Sequence, residues 1–112
     1  MSDREIIDAA RQFANTIMTS KTYKEYLYQR EKLKKQPELY RKVNEFRQRN
    51  FDLQNESDSD ELFDKMEAFD REYEQFRENP FVDDFLCAEL AFCRMMQEVY
   101  VLLANDIDFD YE

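Results

Sequence analysis

Apolar residues recur along this chain at intervals of three and four, the spacing of helix faces rather than the alternation of strands. The spacing predicts a first helix from about Asp3 to Met18, with Ile6, Ala10, Phe13, Ala14 and Ile17 on one stripe. Ser2 is placed to cap it, and Asp3 and Glu5 sit near the positive end of its dipole. Thr19-Ser20-Lys21-Thr22 interrupts the pattern. Ser20 or Thr22 then caps a second helix to about Lys35, with Tyr23, Tyr26, Leu27, Arg30 and Leu33 or Lys34 along one side. That side is thin and rich in tyrosine, which suits a partly exposed face.

Pro37 opens a third helix, at the position where a missing N–H costs nothing. Leu39, Val43, Phe46, Asn50 and Leu53 form its stripe. Asn50 either fixes register within a seam or lies at the stripe's edge. Asn55-Glu56-Ser57-Asp58-Ser59 has a loop composition, and Asp58 with Glu61 resembles a capping box. A fourth helix follows to about Glu78, presenting Leu62, Met66, Phe69, Tyr73 and Phe76 in a 4-3-4-3 rhythm. Asn79-Pro80 marks the next boundary, and a fifth, longest helix runs to about Asn105. Its stripe is Val82, Phe85, Glu89, Phe92, Met96, Val99 and Leu103, flanked by Leu86, Cys93 and Tyr100. So wide a face exceeds what one antiparallel neighbour covers, and a second subunit is the natural supplement. The acidic residues from Asp106 to Glu112 read as a flexible tail. The expectation is therefore all-α: about five helices forming a long antiparallel hairpin or bundle, in one domain over residues 1–112, oligomeric.

Composition sharpens this picture mainly by what it lacks. There is no glycine among the 112 residues, where average usage predicts roughly eight. That leaves little room for hairpin turns or phosphate-cradling loops. Histidine is also absent, so Cys–His and Ser–His nucleophilic pairs cannot be assembled within one chain, nor can Glu-x-x-His metal sites of di-iron bundles. No catalytic residue, cofactor or metal ligand is expected. Glu89 is the one carboxylate whose spacing puts it among apolar residues, where it either shifts its pKa or pairs with a cation. Cys87 and Cys93, six residues apart on one helix, point about 120° apart and cannot chelate together locally. Cys93 reads as a small core residue beside the stripe, and Cys87 as exposed or interfacial.

The net charge of −10 argues against free nucleic acid as a direct partner. Its distribution is uneven: residues 21–49 hold ten basic and four acidic side chains, residues 50–112 four basic and nineteen acidic. Such blocks are solvated faces or two unlike surfaces for partners. Lys32, Lys34, Lys35 and Arg41 form the candidate basic patch. No apolar run is long enough to cross a membrane. The N-terminus lacks a signal-peptide pattern, and two cysteines without one suggest reduced thiols in the cytoplasm.

Several stretches together resemble the YlbF/YmcA family of small helical bacterial regulators, which includes the YheA-like proteins. They are Ala14-Asn15-Thr16-Ile17-Met18-Thr19-Ser20, Tyr26 through Leu33, Pro37-Glu38 leading to Phe46 and Leu53-Gln54, and Asn79-Pro80-Phe81-Val82-Asp83-Asp84-Phe85 with Ala88-Glu89 and Gln97-Glu98-Val99. The likeness covers about residues 5–105. It implies long antiparallel helices associating as a dimer or higher oligomer, and a non-enzymatic role. The competence regulators of this family act in a complex that influences messenger RNA processing by a membrane-tethered ribonuclease. Competence, sporulation and biofilm formation depend on that complex, which can carry iron–sulfur clusters. Some of those regulators extend into a cysteine- and glycine-rich C-terminal tail, whereas this chain has neither residue in its tail.

The resulting expectation is a cytoplasmic regulatory adaptor acting by protein–protein contact, as a homodimer or higher homo-oligomer or with related helical regulators. Val82, Phe85, Phe92, Met96 and Val99 would supply its packing seam and Glu89 the polar specificity. The alternatives are a purely structural helical dimer and an iron–sulfur-binding subunit of a larger complex.

Overall fold

A computed structural model describes residues 1–55 and 59–107, with the side chains of 59 and 60 left aside. Those residues form six helices and no strand: α1 (Asp3–Met18), α2 (Lys21–Lys34), α3 (Pro37–Gln54), α4 (Ser59–Glu72), α5 (Glu74–Glu78) and α6 (Pro80–Asp106). The fold is all-α. The expected Asp58 cap lies outside the described residues, as do the last five residues of the expected tail. Asp106 itself ends α6.

Local chemistry sets most boundaries. The Ser2 hydroxyl accepts from the Glu5 amide at 3.2 Å and starts α1. Ser20, rather than Thr22, caps α2, accepting from the Tyr23 amide at 3.2 Å. Pro37 opens α3 behind Gln36, which makes no side-chain cap. Asn79 Oδ1 accepts from the Phe81 amide at 2.9 Å, and Pro80 follows as the first residue of α6.

The predicted fourth helix divides. Tyr73 has φ −102° and ψ 8°, off helical values, and α5 begins after it. The reason is tertiary. The Tyr73 ring stands edge-on to Phe46 at 5.0 Å and to Phe76 at 5.6 Å, while its hydroxyl accepts from Arg49. The 4-3-4-3 rhythm runs through the break because Phe76 stays against the same cluster.

The chain consists of two compact units, Gln29–Leu86 and the unit formed by Met1–Tyr28 with Cys87–Glu112. The division passes through α2 and α6. In the unit of residues 29–86, Leu33, Val43, Val82 and Phe85 are fully buried, drawn from α2, α3 and α6. Beside them Phe46, Phe69 and Tyr73 form a cluster backed by Leu53, Phe76 and Leu86. Phe46 stacks on Phe69 at 5.2 Å. Residues early in α3 face the end of α4 and α5, and later ones face its middle, so α3 and α4 run antiparallel.

The other unit is built differently. Phe92 of α6 packs on Tyr23 and Tyr26 of α2 at 5.1 and 5.2 Å. Yet α1 buries none of its residues: Ile6 is 52% exposed and Phe13 47%. On α6, Leu90 before Phe92 and Tyr100, Val101, Leu102 and Leu103 after it are also exposed. Cys93, expected in a core, is exposed as well, because no neighbour among the described residues covers that side of α6.

Candidate protein interaction surfaces

The best-defined polar arrangement lies where α3 meets α4, and it was not among the sequence expectations. Arg49 Nη1 donates to Glu72 Oε1 at 2.7 Å and to the Tyr73 hydroxyl at 3.0 Å. Its guanidinium also lies over the rings of Tyr73 and Phe69, 5.2 and 5.6 Å from their centroids. The hydrogen bond to Glu72 is the main cause that raises the Arg49 pKa, with the Tyr73 bond second. The same bond holds Glu72 below the ordinary carboxylate value. Neither group is poised to exchange a proton near neutral pH. Open clefts of about 390 and 420 Å³ flank the pair, one lined by Asp52, Leu53, Lys65 and Ala68, the other by Lys42, Glu45, Gln48 and Phe76. Further cations cover the aromatic cluster, Arg77 over Phe46 at 5.5 Å and Lys42 over Phe76 at 5.8 Å. A sequence signal existed only in part: the stripes gave the aromatic residues, but pairing Arg49 with Glu72 required knowing how α3 sits on α4.

The four candidate patch residues all lie in the unit of residues 29–86. Lys32 sits over the Phe81 ring at 5.4 Å. Lys34 pairs with Glu31 at 3.8 Å and lies over Tyr40. Arg41 donates to Glu38 at 3.1 Å and also to Glu45, and these acids raise its pKa, the Glu38 hydrogen bond most. Lys35 is exposed and makes no ion pair among the described residues. Much of the local positive charge is thus met by acids one turn away, as i,i+3 and i,i+4 spacing allows.

The six candidate seam residues follow one another along α6. Val82 and Phe85 are wholly buried, and the Phe85 ring carries the Arg47 guanidinium at 5.4 Å. Glu89, Phe92, Met96 and Val99 are half-buried. Asn50, the polar residue of the α3 stripe, is half-buried too.

Iron–sulfur ligation takes several thiolates, commonly four. One chain supplies two, on one helix, both exposed and outside any disulfide, and the described residues hold no group of three or more His, Cys, Asp or Glu that could bind a metal. The residues of a single chain do not fit a cluster. No described helix is long and apolar enough to cross a membrane.

These features define an all-helical protein whose distinctive surfaces, among the described residues, are helix faces. Residues 6–108 match the family described as control of competence regulator ComK, YlbF/YmcA, and the chain belongs to that family. It is also similar to a UPF0342 protein of Caldicellulosiruptor bescii, 22% identical over 111 residues, covering 97% of this chain and 93% of that protein. No solved structure matches it significantly. The family description supports a regulatory role.

Proposed function

We propose that this protein is a non-catalytic regulatory adaptor, a single YlbF-like domain that works by protein–protein contact in the cytoplasm. The observation that carries this reading is the C-terminal half of α6. Tyr100, Val101, Leu102 and Leu103 are consecutive, so they point all round the helix, and each is exposed in the single chain. A helical turn apolar on every side is best covered inside an assembly. The partners are a second copy or related helical regulators. The pathway is that of the competence regulators, in which such complexes influence ribonuclease-dependent messenger RNA processing. The candidate basic patch, with Lys35 its most available charge, offers a second contact to such partners.

The test is affinity capture from the native lysate under anaerobic conditions, using the tagged chain and its Val101→Asp/Leu102→Asp variant. A discrete set of proteins, including related helical regulators, is expected with the wild type and lost with the variant. If the wild type retains no stable partner, the adaptor reading fails and the purely structural dimer replaces it.

A further inference from the structure

We infer that the outward face of α2 is a docking surface for an acidic helical segment of a different, partner protein, read by Lys21, Lys24, Lys32 and Lys35 around the exposed ring of Tyr28. This rests on the protein-contact reading above and deepens it, naming a further surface and the chemistry of its occupant.

The surface follows from helix geometry. One unbroken helix runs from Lys21 to Lys34. At 3.6 residues per turn, Lys21, Lys24, Tyr28 and Lys32 fall within roughly 80° of arc, and Lys35 continues their line just past the helix end. The five are spaced 3-4-4-3 and span about 21 Å at 1.5 Å per residue. They lie on the side away from Gln29 and Leu33, the buried residues of α2. Of the candidate basic patch, Lys32 and Lys35 belong to this stripe, whereas Lys34 and Arg41 do not.

Three observations set the stripe apart from an ordinary solvated face. First, its charge is largely unmet. Glu31 pairs with Arg30 at 3.6 Å and with Lys34 at 3.8 Å, while Lys21, Lys24 and Lys35 make no ion pair among the described residues. Second, two of the lysines stand where they cost stability. Lys21 and Lys24 occupy the first turn of α2, which holds no acidic residue, although the positive end of the helix dipole disfavours cations there. Local choices that oppose the fold mark functional positions. Third, Tyr28, at the middle of the line, is 59% exposed. Tyrosine is a preferred binding anchor, because it gives a large contact area at little entropic cost.

Charge, spacing and length together select the occupant. The lysines call for an anionic partner surface. A 3-4-4-3 line is what a neighbouring helix reads, and 21 Å is the length of about 14 helical residues. That helix sets Asp or Glu against the lysines and an apolar side chain against Tyr28. A nucleic acid carries its negative charge far beyond the stripe and meets the −10 of the whole chain. A bilayer needs an apolar face to enter, and the stripe offers one ring.

The experiment replaces Tyr28 by p-benzoylphenylalanine in the tagged full chain, irradiates the native lysate and identifies the cross-linked peptides by mass spectrometry. The expected product is a segment of another protein rich in Asp and Glu at helical spacing. Its yield should fall at least ~10-fold with Lys21→Glu/Lys24→Glu and persist with Lys21→Arg/Lys24→Arg. A labelled synthetic peptide of that segment should bind the wild type, with Kd raised at least ~10-fold by Tyr28→Ala and by Lys21→Glu/Lys24→Glu. The charge reversal separates binding from folding. It places acids in the first turn of α2, so its urea midpoint should lie at or above that of the wild type.

Cross-links to RNA, to lipid, to a neutral or basic segment or to a second copy of this chain each overturn the surface. So does the absence of any cross-link, or binding indifferent to the charge reversal. A partner set lost with Val101→Asp/Leu102→Asp but untouched by Lys21→Glu/Lys24→Glu leaves the adaptor standing without this surface. A charge-dependent acidic cross-link, with no partner set retained through α6, keeps the surface and removes the α6 contact.

Discussion

Phe46 and Phe63 look alike in sequence, each a phenylalanine inside a predicted helix, and the fold gives them opposite fates. Phe46 is 7% exposed, stacked on Phe69 and bracketed by Tyr73 and Phe76, whereas Phe63 is 74% exposed. Replacing Phe46 by Ala removes a ring that buries about 150 Å² of apolar surface, which at ~25 cal/mol/Å² comes to about 4 kcal/mol. The cavity left behind adds to that figure and collapse of the neighbouring rings subtracts from it, so a loss of about 3–5 kcal/mol is expected. A small domain has about 5–15 kcal/mol in total, so the variant keeps only part of its stability. Phe63→Ala should stay within about 0.5 kcal/mol.

The assay is urea unfolding followed by far-ultraviolet circular dichroism, at one fixed protein concentration because any association shifts the midpoint. The midpoint should fall strongly for Phe46→Ala with an unchanged slope, and barely move for Phe63→Ala. A Phe46→Ala loss below about 1 kcal/mol would refute the assignment of the aromatic cluster as the core of residues 29–86.

Two further outcomes follow from individual side chains. Because Arg49 holds the Glu72 carboxyl below its ordinary value, the pair's contribution is complete above the unfolded value of about 4.3 and is lost as pH falls through the lower folded one. The urea midpoint of Glu72→Gln should therefore lie below wild type at pH 6 and converge on it at pH 3; an equal gap at both pH values contradicts the ion pair. Asn79→Ala removes the acceptor for the Phe81 amide at the start of α6 and should cost about 1 kcal/mol in the same assay, with no loss if the cap is idle.

What was legible in the sequence was local. Ser2, Pro37 and Asn79-Pro80 announced helix starts because a cap or an N1 proline acts on amides within its own turn. The break at Tyr73 was hidden because periodicity records which face a residue occupies, and Phe76 keeps that face after the helix has turned. The Arg49–Glu72 pair bridges 23 positions, and only the pairing of α3 with α4 brings them together. Cys93 shows the converse: its spacing puts it beside an apolar stripe, but burial depends on whether a neighbour exists to cover that stripe. The candidate charges Lys34 and Arg41 were visible, while their neutralisation by Glu31, Glu38 and Glu45 depended on rotamers.

The two units divide the physical work. Residues 29–86 contain the fully buried aliphatic and aromatic side chains together with the Arg49–Glu72 contact, and so hold their own core. The unit of α1, the start of α2 and the end of α6 packs Phe92 on Tyr23 and Tyr26 and leaves large apolar side chains exposed. A helix that gains its cover only from outside is stabilised by mass action, in proportion to the logarithm of partner concentration over its dissociation constant. A partner that covered α1 would shift its order with concentration, while residues 29–86 draw their burial from within the chain. On the adaptor reading proposed above, an uncovered stripe such as Ile6, Ala10, Phe13 and Ile17 would turn the amount of a partner into a change of order. The absence of glycine fits the same logic, since a face of fixed shape selects its partner more sharply than a flexible loop does.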